Sequence, residues 1–165
     1  MMQLNLSRQD IGLLVREAIA ESEGWAAARH IHIELDMSLP DPWIILDPVR
    51  FGQVIRNLLS NAVKFSRAGQ TVRLSCQVSQ GQAVIRVSDQ GCGIPEAFHS
   101  QVFERFAQAD TGNQRRVKGT GLGLAIVRRI AALHGGSVDL RNREGGGLEA
   151  RVCLPLGLLL PRDAS

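Results

Sequence analysis

No stretch of the chain approaches the roughly 18 to 20 apolar residues that a membrane span needs. The N-terminus also lacks the basic-then-apolar pattern of a secretory leader. The 165 residues therefore read as a soluble piece, which leaves room for a membrane-bound parent. Cysteine is scarce. Cys76, Cys92 and Cys153 stand far apart with no Cys-x-x-Cys pair, which argues against a zinc site and a disulfide framework and points to a reducing compartment. Cys76 and Cys153 fall in strand-like runs and read as buried thiols, whereas Cys92, between two glycines, reads as accessible. His30, His32, His99 and His134 show no ligand spacing with carboxylates or cysteines, so no metal triad is indicated. There is no serine in a nucleophile elbow and no Gly-x-x-x-x-Gly-Lys-Ser/Thr loop, which removes the hydrolase and Walker-type readings. The net charge of +3 is too small to argue for nucleic acid. Repeats, low-complexity tracts and clear domain linkers are missing too.

What is present, 44% hydrophobic and 21% charged residues, suits one globular α/β or α+β domain. Ser7 and Asp10 resemble a capping box, and Ile11, Leu14, Val15, Ala18, Ile19, Ser22 and Trp25 or Ala26 keep helical spacing. Ile31, Ile33, Leu35 and Met37 alternate as in a half-buried strand, before the Pro40-Asp-Pro42 break. After a short apolar run at Trp43 to Leu46, Asp47 and Pro48 predict a helix start, with a stripe of Val49, Phe51, Val54, Ile55, Leu58, Leu59, Ala62 and Val63 running to about Phe65. Val72 to Val78 and Ala83 to Val87 predict an antiparallel hairpin that delivers Asp89 to a strand end; Val138 to Arg143 and Leu148 to Leu154 predict a second. His134, before Gly135-Gly136, reads as a cation at a helix C-terminus.

Four segments carry chemistry. Gly119-Thr-Gly-Leu-Gly-Leu124 leads into the apolar-periodic Ala125 to His134, and glycines at alternate positions ahead of a helix let backbone N–H groups cradle a phosphate. Such runs also make ordinary turns, so the surroundings decide. Arg115, Arg116, Lys118, Arg128 and Arg129 gather positive charge nearby, and the polar stretch from Gln108 to Gly119 reads as a mobile lid. Asn57 and Asn61, four apart, project from one helical face, with Lys64 a turn further on; amide oxygens beside an ammonium suit magnesium and phosphate. Alone, the pair also describes two solvated polar residues. Asp89-Gln-Gly-Cys-Gly-Ile-Pro95 offers a carboxylate acceptor for an adenine amino group and two glycines for close approach, or else a polar turn. Phe103 and Phe106 read as anchors for the base of the lid or as core of a short helix, with Arg105 placed to reach a phosphate oxygen.

Taken in chain order, the four segments resemble the ATP-binding catalytic domain of sensor histidine kinases, within the superfamily of gyrase, heat-shock chaperone and mismatch-repair ATPases. Arg50 to Ser66 is similar to the family's N box, Asp89 to Pro95 to its first glycine box, Val102 to Phe106 to its F box and Gly119 to Leu124 to its second glycine box. The resemblance implies a two-layer α+β sandwich, a mixed and mostly antiparallel sheet packed on three helices, filling residues 1–156 with 157–165 as a tail. It implies ATP and Mg²⁺ as cofactors, with Asn61 the main magnesium ligand and Asn57 beside it. Catalysis would rest on Asn57 and Arg105. The nucleotide would be held by Asn57, Asn61, Lys64, Phe65, Asp89, Gly91, Gly93, Ile94, Phe106, Gly119, Thr120, Gly121, Leu122, Gly123 and Leu124. Where many relatives carry a cation two residues beyond the F box this chain has Gln108, so Arg105, Arg115 and Arg116 all stand as candidates to meet the γ-phosphate. The phosphoacceptor histidine would sit on a separate dimerisation domain, expected before residue 1. A response regulator would be an indirect partner; neither nucleic acid nor membrane is expected to contact this segment, and the location would be cytoplasmic. A serine kinase or ATPase of the same superfamily and a non-catalytic interaction module of the same fold are the alternatives.

Overall fold

The computed structural model describes residues 3–38, 43–98 and 114–156. The Pro40-Asp-Pro42 break, His99, the F box with Phe103, Arg105 and Phe106, the lid residues 108–113 and the tail 157–165 lie outside the described residues. The elements run β1 (Ser7–Asp10), α1 (Ile11–Ala28), β2 (His32–Ser38), β3 (Trp43–Leu46), α2 (Pro48–Phe65), β4 (Thr71–Ser79), β5 (Gln82–Ser88), a 3-10 turn (Glu96–Phe98), α3 (Gln114–Leu133), β6 (Ser137–Asn142) and β7 (Leu148–Pro155).

Five strands form one sheet in the order β2-β4-β5-β7-β6; β2 runs parallel to β4 and the other neighbours are antiparallel. Its mixed character follows from the connection. β2 and β4 are separated by α2, a crossover long enough for a parallel pair, whereas β4–β5 and β6–β7 are joined by tight turns. The alternation read in the sequence sets the two faces. Val72, Leu74, Cys76, Ile85, Val87, Ala150 and Val152 point into the core, while Arg73, Arg86 and Arg151 stand on the open face and pair with Glu34, Glu149 and Asp139. The three helices bury the other face, through Val15, Ala18 and Ile19 of α1, Ile55, Leu58 and Leu59 of α2 and Val127, Ile130 and Ala131 of α3. Burial pushes the Cys76 thiol up to about 12, so it is inert; Cys153 is buried as well and Cys92 is exposed.

Several local expectations change. Asp10 alone caps α1, accepting from Gly12 and Leu13 N–H at 2.9 and 3.2 Å; Ser7 belongs instead to β1, which pairs with β3 in a separate two-stranded ribbon. Ala26, not Trp25, completes the buried stripe of α1. Asp47 caps α2 as predicted, but Val49 leaves the core stripe and is 71% exposed on the first turn of α2, where Phe51 is the side chain that turns into the core. α3 begins at Gln114, so residues 114–118 of the expected lid and the whole Gly119–Leu124 run are helical. Continuing the hydrogen-bond ladder back from Ala125 outweighs the cost of about 1 kcal/mol per helical glycine.

The end of α3 has its own correction. His134 Nε2 accepts the Asp47 N–H at 3.1 Å, and Nδ1 lies 2.8 Å from Ile130 C=O. A backbone N–H can only donate, so Nε2 carries no proton and Nδ1–H donates to Ile130. The helix end falls where expected, with α3 closing at Leu133 and Gly135 in the left-handed turn at φ of +79°. The partners of the ring assign a neutral imidazole tying that end to the start of α2, so only the cation is corrected.

Candidate functional site

Helical spacing places Asn57, Asn61 and Phe65 along one side of α2, and the packing of α3 on α2 brings Gly123 against it. Asn57 Nδ2 donates to Gly123 C=O at 3.3 Å, and a Cβ built on Gly123 would lie 3.7 Å from Asn61 Nδ2. The first and fourth chemical segments of the sequence therefore meet. Asn61 Nδ2 is buried and has no partner among the described residues. An orphaned buried donor costs about 1 to 3 kcal/mol, so it marks a place for an acceptor.

Asp89 follows the last residue of β5 and is 3% exposed. Its Oδ1 accepts from Gly91 N–H at 2.9 Å and from Leu148 N–H at 3.2 Å; no bond to Oδ2 is present among the described residues, which leaves that oxygen for a guest. Burial raises the Asp89 carboxyl above the ordinary aspartate range, against the opposing pull of the Gly91 and Leu148 N–H groups and the Arg143 charge. The loop behind it is closely held. A Cβ on Gly91 would run into Phe65 C=O, so only glycine lets this loop lie against the end of α2. Gln90 accepts from Thr71 N–H through Oε1 at 2.9 Å and from Gln70 Nε2 through its carbonyl at 3.1 Å.

One cavity joins the two ends. Leu58, Asn61, Phe65, Asp89, Leu124 and Leu148 line it, so the amide from α2 and the carboxylate from the hairpin share an otherwise apolar wall. It is narrow, about 20 Å³, room for one water, and a flat ring would occupy it only as the walls part.

The described residues hold no cluster of three or more histidine, cysteine, aspartate or glutamate side chains suited to a metal. The donor set beside Gly123 is two neutral amides, which suits a cation that keeps its waters and brings phosphate oxygens of its own. Lys64 is exposed at the end of α2, and Ile94 is buried in the core below the loop. Gly119, Thr120, Gly121 and Leu122 lie on α3 by their backbone. Arg105 and Phe106 fall outside the described residues. Sequence reasoning missed the contribution of the β6–β7 hairpin, whose Leu148 N–H holds Asp89 and whose Arg143 guanidinium donates to Asp89 C=O at 2.7 Å. The run Gly145 to Gly147 was the available signal, since clustered glycines mark close backbone approach.

Residues 46–158 match the family model described as histidine kinase-, DNA gyrase B-, and HSP90-like ATPase. The chain is 39% identical over 157 residues to the sensor histidine kinase TmoS of Ectopseudomonas mendocina, covering 94% of this chain and 16% of that protein. It is 40% identical over 127 residues to the circadian input-output histidine kinase CikA of Synechococcus elongatus, covering 76% of this chain and 17% of that protein. The chain thus spans about a sixth of the length of these relatives. Among solved structures, full-length ShkA in complex with AMPPNP superposes with a TM-score of 0.81 at 34% identity, covering 93% of this chain and 32% of that one. No helix among the described residues is long and apolar enough to cross a membrane.

Proposed function

The chain belongs to the histidine kinase-, DNA gyrase B- and HSP90-like ATPase family, and from that premise we propose that it binds ATP with magnesium and presents the γ-phosphate to a histidine on a separate dimerisation domain. The observation that carries this reading is the cavity that Asn61 and Asp89 line together. Asp89 Oδ2 would accept the adenine amino hydrogen, while Phe65, Gly91 and Gly93 shape the slot for the ring. At the other end the Asn61 amide, with a buried Nδ2 in need of an acceptor, would meet the phosphates, with Asn57 beside it and Lys64 adding charge. Bound magnesium would neutralise the β- and γ-phosphates. The amides of Asn57 and Asn61 are the residues that would hold it.

Phosphoryl transfer depends mainly on placement and charge neutralisation. The Gly119–Leu124 run on α3 fits that need, because each glycine weakens the helix and makes this stretch the readiest part of α3 to open toward phosphate. Arg105, Arg115 and Arg116 are the candidates for the γ-phosphate cation. The catalytic domain would fill residues 1–156, in a cytoplasmic setting, with a response regulator downstream of the acceptor histidine.

Calorimetry with ADP and magnesium, followed by incubation with labelled ATP, tests the reading. We expect binding of one nucleotide and no acid-labile label on the isolated chain, with label appearing on an added histidine-bearing helical domain. An absence of binding heat would instead support a non-catalytic module, and rapid ATP hydrolysis by the chain alone would support a hydrolytic member of the superfamily.

A further inference from the structure

One side chain away from the helices makes an unusual pair of bonds. Asn142 closes β6, and its amide exchanges two hydrogen bonds with a single residue of the glycine loop: Oδ1 accepts from Ile94 N–H at 3.1 Å and Nδ2 donates to Ile94 C=O at 2.8 Å. Residues of adjacent antiparallel strands exchange bonds in this way, but here a side chain stands in for the strand. The exchange needs a donor and an acceptor on one planar group of this length, which a primary amide supplies and a carboxylate or hydroxyl does not.

The surrounding backbone leaves little freedom. Gly93 has φ of +72°, and a Cβ on it would lie 2.7 Å from Asn142 Oδ1, so the amide is seated directly against the glycine. Ile94 is 3% exposed and anchors the far end of the loop in the core. At the near end Arg143 donates to Asp89 C=O, and Gly147 passes so close to that carbonyl that a Cβ there would run into it. The β6–β7 hairpin therefore grips the loop from Asp89 to Ile94 at both ends, and Asn142 is the grip nearest the glycines.

We propose that Asn142 is a positioning residue of the nucleotide site, holding the Gly91–Ile94 backbone at the height at which Asp89 Oδ2 meets the base and so setting the preference for a 6-amino purine. The proposal rests on the reading of Asp89 as the base acceptor. Calorimetry of the full chain with ADP and with inosine diphosphate, which carries a carbonyl in place of the amino group, tests both separately. In Asn142→Ala we expect ADP to bind about tenfold more weakly and the preference for ADP over inosine diphosphate to shrink. General loosening of the fold would weaken both nucleotides alike and leave the ratio intact. Asn142→Asp is isosteric, keeps the acceptor for Ile94 N–H and turns an oxygen toward Ile94 C=O; we expect the same reduced preference. A folded variant of either kind that keeps the wild-type affinity and ratio overturns the proposal, as does loss of folding in both, which would make Asn142 a structural residue. A wild-type chain that binds neither nucleotide, or both equally, overturns the Asp89 reading and the proposal with it.

Discussion

Asn57 donates its side-chain amide to the carbonyl oxygen of Gly123 at 3.3 Å, joining the polar face of α2 to the glycine run of α3. Because a Cβ on Gly123 would meet only ordinary contacts, 3.7 Å to Asn61 Nδ2 and 3.9 Å to Asn57 Cγ, the fold itself does not demand glycine here. Gly123→Ala should therefore stabilise α3 by about 0.5 to 1 kcal/mol while placing a methyl group where phosphate approaches the amides. We expect a raised melting temperature together with weaker ADP binding. A variant less stable than wild type would show that the helices pack more closely at this point than the structure indicates.

Asn61 presents a similar trade. Its Nδ2 is a buried donor without a partner among the described residues, so removing it relieves a cost that bound phosphate would otherwise offset. Asn61→Ala should leave stability unchanged or raise it by about 1 kcal/mol, and should lower affinity for the magnesium complex of ADP at least tenfold. Thermal melting and calorimetry read the two effects independently. Loss of stability without loss of binding would place Asn61 in the core and not in the site.

For Asp89 the direction of the shift sets the pH dependence. Burial raises its carboxyl above the ordinary range, so it takes up a proton at higher pH than an exposed aspartate. The ionised acceptor is lost as pH falls through that raised value, and ADP affinity should fall with it. The effect on stability has the opposite sign: this carboxyl's contribution to the fold is full at low pH and is lost as pH rises through the raised value. Asp89→Asn gives a second test. Oδ1 must still face the Gly91 and Leu148 N–H groups, so Nδ2 would face the base, and we expect preference to move from ADP toward inosine diphosphate.

Asp47 bears on the fold and not on the nucleotide. Although burial opposes it, the N–H groups of Asn5, Arg50 and Val49 and the Arg50 charge hold its carboxyl below the ordinary range. Its contribution is therefore present above the ordinary aspartate range and lost as pH falls through the lowered value. Asp47→Ala should cost about 1 to 2 kcal/mol in denaturant unfolding at neutral pH, and the difference from wild type should narrow in acid. His134→Ala should also destabilise, because it leaves the Asp47 N–H without its acceptor.

Much of this arrangement was legible because it is local. Asp47-Pro48 announces α2, alternation announces both hairpins, and a spacing of four puts Asn57 and Asn61 on one face. The remainder depends on segments distant in sequence. Four-residue β1 and β3 find each other only through tertiary placement, so Ser7 looks like a cap until Ile45 and Leu46 are beside its strand. Val49 keeps the period of a core stripe, yet periodicity does not say which positions of a helix's first turn are covered. The glycines of α3 read as a loop by propensity, and the helix they join overrides it. Asn142 and Arg143 act through backbone atoms of another strand's loop, for which their own types and spacing carry no signal.

Amide resonances of the isotope-labelled chain, titrated with adenosine, with magnesium tripolyphosphate and with magnesium ADP, test most directly whether α2 and the hairpin hold opposite ends of one nucleotide. We expect adenosine to shift Asp89, Gly91 and Leu148, tripolyphosphate to shift the side-chain amides of Asn57 and Asn61 together with Gly123, and ADP to shift both sets in a single binding event. Shifts confined to the open face of the sheet, or two sets that saturate at different ADP concentrations, would contradict it.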